Sequence, residues 1–596
     1  MRATVLAKWG EDNLARAALV AMAVLPVGEI LLRAVFKTGL PGSTALVQNL
    51  TLWVGFVGAM VATREGTHLK LAAASALIPP WAERTAANAA AMISAAVAVG
   101  LAWASAQFMV AEMESDVRIG GILPVWVILA VLPFSFAIIA LRYIDSAGRW
   151  ADRRIVLAGI LGISVLVMIF NLNVSLFVWP AMVALLLAAF IGVPIFVIIG
   201  GLALVLFAAD GVTVAAIPVE AYRIVVSPSI PTIPLFVLTG YLMAEGHAGE
   251  RLVRLFRALF GWMPGGLAIA VALVCAFMST FTGASGITIL VLGGVLLPVL
   301  VSNGYPERFS LGLVTASGSI GLLFPPSLAV ILYGVIAQVP IPDLFKAGIG
   351  PGLVMVAAVG TLGIVTGLRS NAPRPPFELR EAMAAIWHAR CEIGVPVVAI
   401  IGIFGGMTTL TEAAAITAVY VFLTQSFITR DIHPIRDLPP VLLKCVTLIG
   451  GVFVILGVAM GLTNYIVDAE IPMKAVAWVE AHVDSRVLFL LALNLFLLLV
   501  GCMMDIYSAT MVVVPLIVPI SRLFGIDPLH LGMIFLVNLQ LGYLTPPVGM
   551  NLFLAAFRFE RPLPEICRAV LPFLLILISV VVLVTYVPAL SLLFVR

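Results

Sequence analysis

Long apolar runs alternate with short polar punctuation along this chain, and within the runs the apolar residues are consecutive rather than every second one. A membrane-crossing helix needs about 20 such residues, and a transmembrane barrel would show alternation instead. The pattern predicts spans at about 14–36, 46–63, 88–111 and 122–142. Ala17 to Leu32 has the apolarity of a signal peptide, but Glu29 lies inside it and Arg33 follows, so it is expected to stay as the first helix. Between the second and third spans, Arg64 to Trp81 is too short and too polar at its start to cross, and reads as an interfacial amphipathic segment. Another apolar run, Ile155 to Phe170, follows the basic cluster Arg142, Arg149, Arg153 and Arg154.

The remainder of the chain repeats. A shift of 221 positions lays Pro298 on Pro519, Gly304 on Gly525, Gly321 on Gly542, Leu323 on Leu544 and Pro325-Pro326 on Pro546-Pro547. By the positive-inside rule the basic cluster after the fourth span is cytoplasmic, and counting back puts Arg64, Lys70, Arg84 and the N-terminus on that side. The first repeat then starts outside. The linker with Arg369, Arg374, Arg380 and Arg390 is cytoplasmic, so the second repeat starts inside and the two are inverted, an arrangement found in secondary transporters. The expected domains are a four-helix scaffold module (1–154), a connecting transmembrane helix (155–172) and a transport module (173–596), with repeats at about 173–370 and 388–596.

Composition agrees with the pattern. Of 596 residues 62% are apolar and 11% charged, against about 25% charged in soluble domains. Thirty-three Lys and Arg face 30 Asp and Glu, and a formal charge of +3 excludes a nucleic-acid-binding design. The five cysteines are scattered without a C-x-x-C pair and read as small core residues. No Walker-type phosphate loop occurs, so no ATP bound by such a loop on this chain would drive transport.

Each repeat is interrupted twice. The first interruptions are Ser279 to Gly286 and Gly501 to Ser508, each between legs of about 15 residues, which predicts re-entrant hairpins. The second are Thr315 to Pro326 and Asn538 to Pro547, where Pro-Pro forces a helix to break and restart. Non-helical backbone at membrane depth must be buried or line a cavity. Freed carbonyls and hydroxyls suit a small hard cation, and the restarted helix offers its positive end to an anion. One cation site is expected from Ser279, Thr282 and Ser285 with Thr315, Ser317, Gly318 and Ser319, the other from Asp505 and Ser508 with Asn538, Gly542 and Thr545. Ser285, Pro326, Ser327 and Pro547 are the candidate substrate contacts. The alternative for any single Ser or Thr is close helix packing. Glu412 reads as a helix cap. Gly283-Ala284-Ser285-Gly286 also fits the serine tip of an intramembrane protease, but that serine needs a buried base, and His68, His247, His388, His433, His482 and His530 fall in loops or near span ends.

These residues resemble the tripartite ATP-independent periplasmic (TRAP) transporters with small and large membrane subunits fused. The likeness rests on Ser317-Gly318-Ser319-Ile320-Gly321 with Phe324 to Ser327, Met504-Asp505, Gly525 to Pro528 with His530 to Gly532, Asn538, Leu544 to Gly549, and Thr411 to Ala415. Arg64 with Gly66-Thr67-His68 carries a weaker small-subunit likeness. The resemblance implies an all-α polytopic membrane protein of the elevator-type ion transporter fold, in which two inverted repeats with re-entrant hairpins and broken helices move against a scaffold. It implies sodium-coupled uptake of a small organic acid delivered by a periplasmic solute-binding protein, in a bacterial inner membrane, with Na+ as coupling ion and no other cofactor. It implies a transporter embedded in membrane lipid, not an enzyme. The first tip, Thr282 to Gly286, departs from the Ser-rich run expected there. A self-sufficient cation-coupled organic-anion transporter without a binding protein is the alternative.

Overall fold

The structure, a computed structural model, describes residues 2–40, 42–68, 83–115, 117–119, 123–146, 152–153, 157, 174–370, 374–483, 485–546 and 549–595. Most of the interfacial segment and of the 155–172 connection lies outside them, as do Pro547 and Val548. Among the described residues, eleven helices are long and apolar enough to cross a membrane, or up to thirteen if each of two bent pairs is one span. The chain is an all-α polytopic membrane protein.

Two compact units divide it: Met1–Pro234 with Leu442–Lys474, and Leu235–Val441 with Ala475–Arg596. The first unit contains the four expected spans as Arg2–Phe36, Ser43–Glu65, Glu83–Met113 and Val125–Leu129 continuing as Val131–Ser146. Several ends lie beyond the apolar runs because polar flanks continue the helical hydrogen bonding. At one end of these helices Arg142 meets Glu11 at 2.6 Å and Arg64 meets Asp12 at 2.7 Å. The N-terminal helix and the ends carrying Arg64 and Arg142 therefore share a face of the unit.

Small residues allow one helix of this unit to approach another closely. A Cβ on Gly58 would lie 2.4 Å from the Val446 carbonyl oxygen, and one on Gly450 would lie 2.0 Å from the Gly58 carbonyl carbon. Only glycine fits at such a crossing, and close backbone approach is how membrane helices gain packing without a hydrophobic driving force between them.

In the second unit, the repeat inferred from punctuation is a repeat of helix boundaries. Helices end at Thr282 and Met503, restart at Ser285 and Ile506, end again at Ser302 and Leu523, and restart at Glu307 and Pro528, each pair 221 positions apart. The same unit is tied by a polar cluster. Arg251 bonds Glu392 at 2.6 Å and Asp431 at 2.7 Å, and the His247 N–H donates to Asp431 at 3.2 Å. Burial pushes the Asp431 carboxyl up, but the Arg251 guanidinium outweighs it and holds the group below its ordinary value. Glu412 completes a capping box with Thr409, accepting from the Thr409 N–H at 2.7 Å while the Thr409 hydroxyl accepts from the Glu412 N–H at 3.2 Å.

The interruptions are narrower than the polar stretches that announced them. Helices Gly266–Thr282 and Ser285–Ser302 leave only Gly283 and Ala284 between them. Ser279 and Thr280 stay helical because their hydroxyls donate to the carbonyls four residues back, at 2.7 and 2.8 Å. The legs are thus 17 and 18 residues, not about 15, and Ser285–Ser302, Arg486–Met503 and Ile506–Leu523 each reach the length and apolarity of a span. Leg length alone therefore does not require re-entry.

Gly450→Val should lower stability by about 1–3 kcal/mol, as overpacking does. Gly451→Val, where an added Cβ meets nothing within 4 Å, should change it far less. Thermal unfolding of the two variants in detergent, side by side, checks this.

Candidate functional site

The site lies wholly within the second unit and is built from two helix breaks in each repeat. In the first repeat, Gly283 turns the chain at φ +67°, a left-handed conformation that suits glycine, and a side chain there would press on Leu328 at 2.9 Å. The partner break runs from Glu307–Ser317 through a short 3-10 turn, Ile320–Leu323, to Leu328–Ala337, with a 44° bend. Pro325 and Pro326, joined by a cis peptide bond, lie between turn and restart.

Tip and break of this repeat meet directly. The Gly321 N–H donates to the Ser279 hydroxyl at 3.1 Å, and the Thr280 hydroxyl donates to the Gly321 carbonyl at 3.0 Å. A Cβ on Gly321 would sit 2.0 Å from the Ala276 carbonyl oxygen, so glycine is required for the contact. Gly318 lies against the preceding helix, Ser285–Ser302, where its Cβ would come 2.8 Å from Ile289 and 3.4 Å from the Ser285 carbonyl oxygen.

Three hydroxyls around the break are buried without a hydrogen-bond partner: Ser317, Ser319 and Ser327. A buried hydroxyl lacking a partner is destabilising unless a ligand or water completes it. Thr315 differs, since its hydroxyl donates to the Leu311 carbonyl at 2.7 Å within its own helix. The Thr282 hydroxyl donates to the Ala284 carbonyl at 3.4 Å. Pro326 is buried beside Ser327.

In the second repeat Asp505 is the helix cap. Its carboxylate accepts from the backbone N–H groups of Tyr507 and Ser508, both at 3.0 Å, and from the Ser508 hydroxyl at 2.6 Å. An intramembrane carboxylate needs partners, and the restarting helix supplies them with its free N–H groups. The break that faces it follows Pro528–Gly542 and ends where Met550–Phe559 begins. Gly542 packs on the Gly501 backbone, where a Cβ would lie 2.4 Å from its carbonyl carbon, and the Gly549 N–H donates to the Cys502 carbonyl at 3.2 Å. The Tyr543 hydroxyl accepts from the Ile506 N–H.

The predicted residues thus converge unevenly. Ser279, Thr282, Ser285, Ser317, Gly318 and Ser319 gather around the first tip and break, and Asp505, Ser508 and Gly542 around the second. The Asn538 amide nitrogen donates to Asn494, on the first leg of that hairpin, at 2.7 Å and to the Ile534 carbonyl at 2.8 Å. The Thr545 hydroxyl donates to the Leu541 carbonyl at 2.9 Å. Pro547 is outside the described residues. Ser285 donates to Asn551 at 2.7 Å, so its partner is an amide rather than a histidine base. His530, buried near the start of Pro528–Gly542, engages Ser591 and the Thr585 carbonyl, both at 3.2 Å.

Sequence reasoning placed Tyr507, Gln540 and Tyr543 within the interruptions without giving them individual roles, and passed over Asn551. Gln540 is fully buried with neither amide atom partnered, and it falls 221 positions after Ser319, whose hydroxyl is also unpartnered. That correspondence was available as a signal. Asn551 stands in the repeat opposite Val330, so the internal symmetry concealed it, although an amide in an apolar helix was itself a signal.

Two family descriptions match the chain: residues 180–590 match the tripartite ATP-independent periplasmic transporter, DctM component, and residues 22–153 match the DctQ component of the same transporters. The C4-dicarboxylate TRAP transporter large permease protein DctM of Pseudomonas aeruginosa is 34% identical over 394 residues, covering 66% of this chain and 92% of that protein. The isethionate TRAP transporter permease protein DctMQ of Oleidesulfovibrio alaskensis is 31% identical over 493 residues, covering 79% of this chain and 75% of that protein. The solved Alcanivorax borkumensis YdaH transporter covers 60% of this chain and 84% of its own at TM-score 0.46 and 16% identity, too slight a likeness to argue from. These relatives are transport permeases rather than enzymes, and this chain belongs to the tripartite ATP-independent periplasmic transporter family, with Q and M components joined in one polypeptide.

Proposed function

We propose that this chain is a sodium-coupled importer of a small organic acid, loaded by a periplasmic solute-binding protein and seated in a bacterial inner membrane with its N-terminus in the cytoplasm. The observation that carries the coupling is the pairing of tip and break in both repeats. Hydroxyls without partners line the first pair, and a single carboxylate, Asp505, lies in the second. Proton coupling calls for carboxylates, histidines or lysines at depth, and of these the two tips and two breaks hold only Asp505. Hydroxyls, carbonyls and one carboxylate instead make oxygen ligands for a dehydrated alkali cation.

In this reading one sodium is held by Ser279, Thr282 and Ser285 with Thr315 to Ser319, and a second by Asp505 and Ser508 with Gly542, Asn538 and Thr545. The substrate carboxylate sits against Ser285, Pro326, Ser327 and Pro547, near the restarted helices. The two repeats are inverted, their hairpins re-enter the membrane, and the second unit moves as an elevator. The names of relatives favour an organic acid: C4-dicarboxylates for DctM and isethionate for DctMQ. Residues 1–154 with the connection 155–172 serve as scaffold and docking surface, and 173–596 as the transport module, of which 235–441 and 475–596 are the moving part.

Uptake into proteoliposomes tests the whole reading. With a sodium gradient and a cognate periplasmic solute-binding protein, labelled organic acid should accumulate. Omission of the binding protein should cut uptake to near background, and equal rates would place the chain among self-sufficient exchangers. A proton gradient without sodium that drives uptake equally well would remove the sodium assignment. Asp505→Asn keeps an oxygen to cap the helix but loses the charge. It should raise the half-saturating sodium concentration at least about tenfold, equivalent to about 1.4 kcal/mol, while the protein still purifies as a single species.

A further inference from the structure

Two hydrogen bonds run from the second repeat to the tip of the first. The Tyr507 hydroxyl donates to the Gly283 carbonyl, and Asn551 accepts from the Ser285 hydroxyl at 2.7 Å. The relation is one-sided, because the positions 221 residues before Tyr507 and Asn551 are Gly286 and Val330, whose side chains form no hydrogen bonds. Tyr507 also reaches its own tip, since its backbone N–H donates to the Asp505 carboxylate at 3.0 Å. A single buried residue therefore holds a carbonyl of one tip with its ring and the carboxylate of the other with its main chain.

We infer that Tyr507 is a positioning residue that couples the two cation sites, so that filling one raises the affinity of the other. The inference rests on the two-sodium reading above. A carbonyl oxygen has two lone pairs, and the Tyr507 hydroxyl uses one on Gly283, leaving the second for a cation at the first tip. A cation there fixes the Gly283 carbonyl, the carbonyl fixes the phenol, and the rigid ring fixes the main chain that holds Asp505. Coupling of this kind is reciprocal and typically amounts to about 5–150-fold in affinity. Removal of the hydroxyl leaves both ligand sets in place and severs the link between them. Tyr543, whose hydroxyl bonds Ile506 inside the second repeat, makes the matched comparison, because its bond does not cross between repeats.

The test is equilibrium binding of radioactive sodium, 22Na+, to the purified full-length chain, with potassium keeping ionic strength constant. No substrate or binding protein is needed. The wild-type curve should be cooperative, with a Hill coefficient between 1 and 2. Tyr507→Phe should bind the same number of ions with a Hill coefficient near 1, while Tyr543→Phe stays cooperative. An unchanged Hill coefficient in Tyr507→Phe, or a wild-type value of 1, overturns the inference while leaving sodium binding intact. Absence of saturable 22Na+ binding to the wild type overturns the sodium reading itself. A variant that folds only in part remains informative, because the Hill coefficient reports the folded fraction alone. Sodium-dependent protection from thermal unfolding gives the same coefficient by a second route.

Discussion

Backbone that leaves its helix inside an apolar bundle must find partners for the N–H and carbonyl groups it frees, because no water is there to take them. In this chain freed groups of each break find partners at the tip of their own repeat, while the Gly283 carbonyl of the first tip finds its partner across the repeats in Tyr507. Gly321 gives its N–H to Ser279 and its carbonyl to Thr280, and Gly549 gives its N–H to Cys502. Glycines at Gly321 and Gly542 allow the approach, since a Cβ at either would collide with the facing backbone. The surrounding helices hold these four breaks in place, and the polar groups left over at the breaks are what a cation or anion would use.

The second constraint is charge. Among the tips and breaks Asp505 is the one residue with a formal charge at neutral pH, and it is held by two N–H groups and a hydroxyl of the helix it caps. The heavier ionic clusters lie elsewhere, with Arg251, Glu392 and Asp431 in one unit and Arg64, Arg142, Glu11 and Asp12 in the other. Their work is to join helices, which frees the polar centre for ligands. An apolar protein with few charges thus keeps structural and candidate ligand-binding polarity in separate places.

Much of this was legible before any coordinates, for identifiable reasons. A Pro-Pro pair interrupts a helix more surely than the single prolines, such as Pro298 and Pro519, that stay inside helices here, so Pro325-Pro326 and Pro546-Pro547 at a common offset exposed the repeat and its breaks. Asp505 stood out because a lone carboxylate in an apolar run is costly unless it caps a helix, meets a cation or binds a ligand. Local hydrogen bonding was harder to read. Ser279 and Thr280 looked like loop residues and are helical, because each bonds back to its own turn. Partners distant in the chain were out of reach: nothing in the order of residues tells that Asn538 turns to Asn494, or that Asn551 and Tyr507 bond the opposite repeat.

The shared helix boundaries carry one more consequence, which concerns counting rather than chemistry. From the end of the first leg to the restart after the second, the two copies hold the same number of residues, although few of those residues are alike. Helical phase explains why number outlasts identity. One added residue turns everything beyond it by about 100° and advances it by about 1.5 Å, enough to swing Ser317 or Gly321 off the surface it faces. Substitutions can be absorbed one at a time by neighbouring side chains, whereas an insertion has to be absorbed by the whole helix after it. The two halves have been free to diverge in composition while remaining locked to a common ruler.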